Sequence, residues 1–173
     1  MAITYDYYGT LEEAQTYFDN RLHESAWTNA SDEDRPKALL AARLIIDTLN
    51  YKGRKAAVFA LLEASPDADE DAIRAAEASQ PLEFPRGADE EVPDAIRQAQ
   101  YEIAHSLLDG VDPELELQNL GIISNGLSSV RTTYNRTQVP IEHIVNGIPN
   151  AMAWRLIRPF LRDDEAVKLQ RIS

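Results

Sequence analysis

The sequence predicts a mainly α-helical fold: a small helical bundle with an extended or hairpin segment near residues 121–139 and a C-terminal helical arm. Apolar residues recur at helical spacing in several segments before residue 110. Residues 121–139 instead combine glycines, serines and threonines with an alternating Val130, Thr132, Tyr134 pattern, which favours extended chain. At 173 residues and 44% apolar composition, the chain is long enough for one hydrophobic core.

The bundle is predicted to begin at a capping box, Thr10-Leu11-Glu12-Glu13, where the Thr oxygen and the Glu side chain satisfy helix N-terminal amides. That helix continues to about Leu22, and Trp27 falls in the following loop. Ser31-Asp32-Glu33-Asp34 opens a second helix that runs to about Asn50. Its apolar residues cover a wide arc, so we expect a central helix with neighbours on two sides.

The middle of the chain alternates helix and loop. Residues 55–65 predict a short helix after Gly53, and Asp67 to Ser79 predicts either a thin surface helix or a partly mobile insertion. Residues 80–91 predict a loop. The most regular helix spans about 93–109, with its apolar residues on one face, namely Ile96, Ala99, Ile103 and Leu107. A further short turn from Asp112 to Leu117 follows.

After the extended segment, Pro140 to Asn146 predicts a short helix, and 150–161 predicts a last helix whose final turn Pro159 distorts. Its inward residues are expected to be Met152, Leu156, Ile157 and Phe160. The last ten residues are expected to form a flexible tail. We therefore divide the chain into a helical core, 1–120, and a 121–173 part that belongs to the same domain or serves as an assembly arm.

Charge divides the chain in the same place. The net charge is −12, yet residues 1–120 hold 25 acidic and 10 basic residues whereas 121–173 hold 4 acidic and 7 basic ones. An acidic body repels a phosphate backbone, which argues against general nucleic-acid binding. The basic C-terminal third could dock on an acidic neighbour such as an identical subunit; alternatively, both parts are ordinary solvated surface.

No residue pattern indicates catalysis. The chain has no cysteine, its three histidines (His23, His105 and His143) are far apart in sequence, and no phosphate-binding glycine loop is present. The acidic run from Asp67 to Asp71 lacks the glycine and the bidentate acid of a calcium loop, so we interpret it as a solvated helix start. We expect no enzyme activity, no metal site and no cofactor.

The remaining sequence signals favour a protein made in the cytoplasm. No apolar run is long enough to span a bilayer, and the first residues do not resemble a signal peptide.

Tyr134 lies between Arg131 and Arg136 and is the one aromatic residue in a basic context. Single-stranded DNA binding by aromatic stacking therefore stays an alternative function.

Several short motifs occur in an order that resembles one family. They are Leu11-Glu12-Glu13-Ala14 with Tyr17-Phe18 and Arg21; Trp27 before Ala30-Ser31-Asp32-Glu33-Asp34; Tyr51-Lys52-Gly53-Arg54-Lys55; Phe84-Pro85-Arg86; Val92-Pro93; and Ala153-Trp154-Arg155-Leu156-Ile157-Arg158-Pro159-Phe160-Leu161. In this order the chain resembles the tailed-phage head–tail connector, or adaptor, proteins, which include members labelled DnaT-like single-stranded DNA-binding proteins. The resemblance covers most of the chain.

The resemblance implies a non-enzymatic protein of the virion neck. Its partners would be the portal protein, further copies of itself in a ring of about twelve, and downstream neck or tail proteins. Genomic DNA would pass through the ring without sequence-specific binding, and no membrane would be involved.

Two groups of residues are the candidates for contacts. The predicted partner-binding residues are Arg131, Tyr134, Arg136, Trp154, Arg155, Arg158 and Phe160. For Trp154 and Phe160, ordinary core packing is an equally good interpretation. The predicted subunit-interface residues are Gly53, Arg54 and Lys55, which could instead simply end a helix.

Overall fold

The computed structural model describes residues 6–119 and 142–162, with the backbone of 124–127 and 130–133, and confirms a mainly helical fold. Its helices are α1 (Leu11–Asp19), α2 (Ser25–Thr28), α3 (Asp34–Asp47), α4 (Ala56–Ala64), α5 (Glu70–Ser79), α6 (Asp94–Leu108), α7 (Pro113–Asn119), α8 (Glu142–Val145) and α9 (Ala151–Ile157). A 3-10 turn, Arg158–Phe160, follows α9. Two strands, β1 (Ser124–Leu127) and β2 (Val130–Thr133), pair antiparallel.

The helix α6 is the centre of the bundle. α3 and α9 both pack along it. More than half of its residues are buried, namely Ile96, Ala99, Gln100, Tyr101, Glu102, Ile103, Ala104 and Ser106.

The prediction that the 31–50 helix is central is therefore wrong. α3 buries one stripe of residues, and Leu44 on the opposite side is 52% exposed. A wide apolar arc does not distinguish a helix between two layers from one with a partly apolar outer face.

The first turn of α1 confirms the predicted capping box. The Glu13 amide donates to Thr10 Oγ1 at 3.1 Å, and the Thr10 amide donates to Glu13 Oε2 at 2.8 Å. Trp27, expected in a loop, lies in the one-turn helix α2 and is fully buried. Its ring stacks on Phe18 with centroids 4.5 Å apart. A four-residue helix is too short to show a periodic pattern, and this is why the sequence does not predict it.

α4 and α5 form a helical hairpin at the edge of the bundle. The predicted 55–65 helix is confirmed. Of the two interpretations of 67–79, the structure shows the surface helix: α5 has no buried residue, and α4 buries only Val58. Gln80 ties the hairpin to the body, because its side chain accepts from the Ala57 amide at 3.0 Å and donates to the Pro85 carbonyl at 2.8 Å.

The C-terminal part joins the same core. Ala153 and Ile157 of α9 are fully buried against α6, and the Asn150 side chain caps α9 and donates to the Glu102 carbonyl at 2.8 Å. Met152 is 52% exposed, so its predicted inward direction is wrong. The small Ala153, rather than the larger Met152, lies on the inner face because α9 approaches α6 closely there.

Other features of this part confirm the predictions. A 3-10 turn that contains Pro159 ends the last helix. Ser124 pairs with Thr133 in the hairpin, inside the predicted extended segment. The predicted tail lies outside the described residues.

Candidate docking surface

The fold joins two sequence-distant basic segments. Tyr51 and Leu161 form an antiparallel bridge, with the Lys52 amide donating to the Phe160 carbonyl at 2.9 Å and the Arg162 amide donating to the Asn50 carbonyl at 3.0 Å. This pairing assembles a surface that we call the basic corner, defined by Lys52, Arg54, Arg158 and Arg162. All four residues are exposed.

The charges of the basic corner are only weakly compensated within the described residues. The Lys52 ammonium donates to the Pro159 carbonyl at 3.3 Å, an uncharged partner. Arg158 Nε lies 3.7 Å from Glu142 Oε2, in an exposed ion pair. Exposed pairs of this kind contribute little, typically 0–1 kcal/mol. Among the described residues, the positive charges of Lys52 and Arg158 are therefore only weakly paired.

The outer face of α9 continues this surface. We define that face by Ala151, Met152 and Arg155, all of which are exposed. Trp154 is half-buried, packs against the core and donates from Nε1 to Glu142 Oε2 at 3.1 Å. Among the predicted partner-binding residues, Arg155 and Arg158 are thus exposed, whereas Trp154 has a partner within its own chain.

Phe160 belongs to an aromatic cluster with Tyr8, Tyr51 and Phe84. The Phe84 ring is fully buried and meets the edges or faces of the other three, with centroids 6.0 Å from Tyr8, 4.7 Å from Tyr51 and 5.6 Å from Phe160. Four segments that are far apart in sequence are therefore held at one point. Burial of aromatic surface and edge-to-face geometry both stabilise this junction, and it fixes the backbone of the basic corner.

Arg86 holds the backbone of the basic corner in place through hydrogen bonds. Its guanidinium donates from Nε to the Lys52 carbonyl at 3.0 Å and from a terminal nitrogen to the Gly53 carbonyl at 2.8 Å. It also lies over the Tyr51 ring, 5.6 Å from the centroid, and pairs with Glu83 at 2.5 Å. The turn at 52–53 is thus held by one side chain that serves as a multiple donor.

The three predicted subunit-interface residues separate in the structure. Gly53 adopts a positive φ of 71° in the turn, and Arg54 is exposed. The Lys55 ammonium lies 3.3 Å from a Glu83 oxygen and donates to the Gln80 carbonyl at 3.1 Å, so it anchors the α4–α5 hairpin to its own chain.

Of the predicted partner-binding residues, Arg131 lies in β2 with only its backbone described, and Tyr134 and Arg136 lie outside the described residues.

The contact residues predicted from the sequence did not include Lys52, Arg86 or Arg162, although Arg162 belongs to the basic C-terminal third that was expected to dock. Lys52 adjoins the Gly-Arg-Lys motif and Arg162 adjoins the 153–161 motif, so local charge was a usable signal for both. Their juxtaposition depends on the Tyr51–Leu161 bridge, a long-range pairing that no local pattern reveals.

A network of partly buried polar groups surrounds the Tyr8 hydroxyl. The Tyr8 hydroxyl donates to Asp47 and accepts from the Glu83 amide at 3.1 Å. Burial raises the pKa of Asp47 above its usual value, and burial and the adjacent carboxylate raise the pKa of Tyr8 well above its own. Arg43 Nε is 2.8 Å from Asp47 Oδ2, although its N–H is not directed at that oxygen. This network links α3 to the 82–86 loop.

A second buried polar cluster surrounds Glu102. Arg21 donates to both carboxylate oxygens, at 2.7 and 2.9 Å, and the Tyr17 hydroxyl donates at 2.7 Å. Burial alone would raise the pKa of Glu102, but the hydrogen bonds from Arg21 and Tyr17 together hold it below its usual value. These hydrogen bonds join α1 to α6.

Within residues 6–119 and 142–162, no group of His, Cys, Asp and Glu side chains is arranged to hold a metal ion. Among the described helices, none has the length and apolar character to cross a membrane. No family model, curated protein or solved structure matches the chain.

Proposed function

We propose that this chain is a structural protein of the phage neck, an adaptor that assembles as a ring between the portal and the downstream neck or tail proteins. The observation that supports this role is the basic corner together with the outer face of α9, on a chain whose net charge is −12. An acidic body with a localised basic surface among its described residues is suited to specific docking on acidic protein surfaces. The proposed role requires no chemical reaction.

The motif order supports the same proposal. Phe84-Pro85-Arg86, Tyr51-Lys52-Gly53 and the 153–161 motif belong to different parts of the sequence, and in the fold they meet at the aromatic cluster around Phe84. These residues therefore act together to build one surface.

The charge of the body suits a channel for DNA. Acidic protein releases few counterions on contact with a phosphate backbone, so DNA has little affinity for it. In the proposed ring, the genome passes the adaptor without adhering, and the interactions that matter lie between proteins.

The test is cryo-electron microscopy of the neck of phage particles that encode this chain. We expect density for the helical bundle below the portal, in several symmetric copies. Particles whose purified proteins lack this chain would refute the proposal.

The alternative function, single-stranded DNA binding, depends on Arg131, Tyr134 and Arg136. It predicts submicromolar, salt-sensitive binding in fluorescence anisotropy with labelled oligonucleotides. On the adaptor proposal the anisotropy stays flat even at low salt, because the long-range field of the chain is repulsive to DNA.

A further inference from the structure

The α4–α5 hairpin carries a strong negative charge. Residues 56–79 include six acidic residues and a single arginine, Arg74. Four of these acids lie around the turn between the helices, all of them exposed, and we call them the acidic tip: Asp67, Asp69, Glu70 and Asp71. The basic corner is at the opposite end, because Arg54 lies just before Lys55, the N-terminal cap of α4.

The hairpin keeps these two charged surfaces apart within one chain. α4 has nine residues, and at 1.5 Å per residue it is about 13 Å long. Its root is fixed to the body because Lys55 pairs with Glu83, Gln80 donates to the Pro85 carbonyl and Arg86 donates to the Gly53 carbonyl. The acidic tip therefore projects away from its own basic corner and is free to meet the corner of another copy.

Apolar surface lies beside each charged surface. A groove of about 590 Å³ lies between α4 and the 87–90 segment, and Phe59 and Ala60 line it. Phe59 is half-buried and Ala60 is exposed. On the outer face of α9, Met152 supplies an exposed, flexible apolar side chain of a kind that fills irregular grooves.

On each surface, an apolar side chain lies on a helix that leads toward charged residues. Met152 precedes Arg158 by six residues, about 9 Å along a helical axis. Phe59 precedes the end of α4 at Ala64 by five residues, about 8 Å, and Asp67, the first acid of the tip, follows Ser65 and Pro66. An apolar contact and a charge contact can therefore form together between a hairpin and an α9.

We propose that the α4–α5 hairpin of one copy docks on the outer face of α9 of the next copy, with the acidic tip of the first against the basic corner of the second. This inference rests on the proposed function in that it names the contact by which copies assemble. The two surfaces are different, so the contact is head-to-tail, and repetition of such a contact closes into a ring when the rotation between copies permits. Charge complementarity selects the partner, and the Met152 contact adds burial that exposed ion pairs alone do not supply.

The test reverses the charge of each surface in the full-length chain. One variant carries D69K, E70K and D71K, and the other carries R54E, R158E and R162E. We expect each variant alone to associate at least about tenfold more weakly than wild type in sedimentation velocity at low salt, because like charges then oppose each other. An equimolar mixture of the two regains association, since each tip again meets a corner of opposite sign.

A matched control carries E12K, D109K and E114K, which change the net charge as much as the tip reversal does, at exposed positions outside the hairpin. We expect this control to associate at least as strongly as wild type. The inference is overturned if the mixture associates no better than its components, if the control weakens association as much as the tip reversal, or if wild type stays monomeric at about 1 mM. Neck density containing this chain would still support the adaptor role in all three cases. Failure of the head-to-tail contact can therefore be distinguished from failure of the proposed function.

Because the chain contains no cysteine, disulfide trapping provides a second readout free of background. The D69C/R158C double variant should form a ladder of covalent multimers on oxidation, whereas each single variant should stop at a dimer. A double variant that also stops at a dimer contradicts the head-to-tail contact.

Discussion

Glu102 is the one buried acidic residue among those that the structure describes, and Arg21 keeps it charged. Removal of Arg21 leaves the buried carboxylate with Tyr17 as its side-chain partner. We expect Arg21→Ala to lower the free energy of unfolding by about 3 kcal/mol, in the range for loss of one member of a buried pair. Urea denaturation measures this change.

The control for this prediction is Arg74→Ala, which removes an arginine whose pairs on α5 are exposed. We expect a change within about 0.5 kcal/mol, because exposed ion pairs contribute little. Similar effects of the two substitutions would show that the Glu102 cluster is not a special source of stability. The pKa of Glu102, followed by NMR, should also rise in the Arg21→Ala protein.

The lowered pKa of His105 leads to a prediction of how the free energy of unfolding depends on pH. Burial, and then the nearby Arg21 guanidinium, lower the pKa of His105 below its ordinary value of 6.5, although Glu102, the His23 backbone and Asp109 oppose this shift. The unfolded chain therefore takes up the proton more readily than the folded one. Stability from this residue is fully present above about pH 6.5 and is lost as the pH falls toward the folded pKa. Glu102 adds a similar loss only at lower pH, because its own reference pKa is 4.5.

The variant that isolates this effect is His105→Phe. The ring stacks on Phe18 at 5.7 Å and its Nε2 is buried without a partner, so an apolar ring suits the site. We expect urea midpoints that change less than those of wild type between pH 6.5 and 5, while the behaviour below pH 4.5 stays similar. Parallel curves for the two proteins would contradict this account.

At the scale of elements, α9 shows which predictions a sequence supports. Its existence, its end near Pro159 and its inner residue Ile157 follow from local spacing and from the fixed φ of proline. The direction of Met152 did not follow, because the choice between Met152 and Ala153 depends on how closely α9 approaches α6. α2 and the Tyr51–Leu161 bridge have the same limitation, since both depend on tertiary contacts. The composition of the candidate site was partly predictable, whereas its assembly from two segments was not.

The orientation of α9 gives a prediction that separates its two faces. Ile157→Ala should reduce the free energy of unfolding by about 2–5 kcal/mol, because it leaves a cavity against α6. Met152→Ala should change it by less than about 0.5 kcal/mol, since that side chain is more than half exposed. Thermal or urea denaturation of both variants provides the comparison, and equal destabilisation would mean that Met152 packs inside its own chain.

For the whole molecule, the asymmetric distribution of charge is the property that links fold to role. The helical body has an excess of acids, while the corner built from 52–54 and 158–162 is basic. Long-range attraction between such unlike surfaces accelerates and orients association, and salt screens it over about 10 Å at 0.1 M. Each copy also carries a net charge of −12, so overall repulsion between copies opposes this attraction, and the dependence of the assembly rate on ionic strength measures which of the two dominates.

The exposed arginines of α9 and its 3-10 turn allow a direct test in the phage. We expect the R155E/R158E protein to fold with wild-type stability, because neither side chain is buried, and to be missing from purified particles when it replaces the wild-type chain. The R155K/R158K protein preserves both charges and should enter particles at wild-type levels. Since Arg158 also pairs with Glu142, the E142Q protein separates the loss of that internal contact from the loss of docking. Incorporation of R155E/R158E at wild-type levels would show that this surface does not dock the chain to its partners.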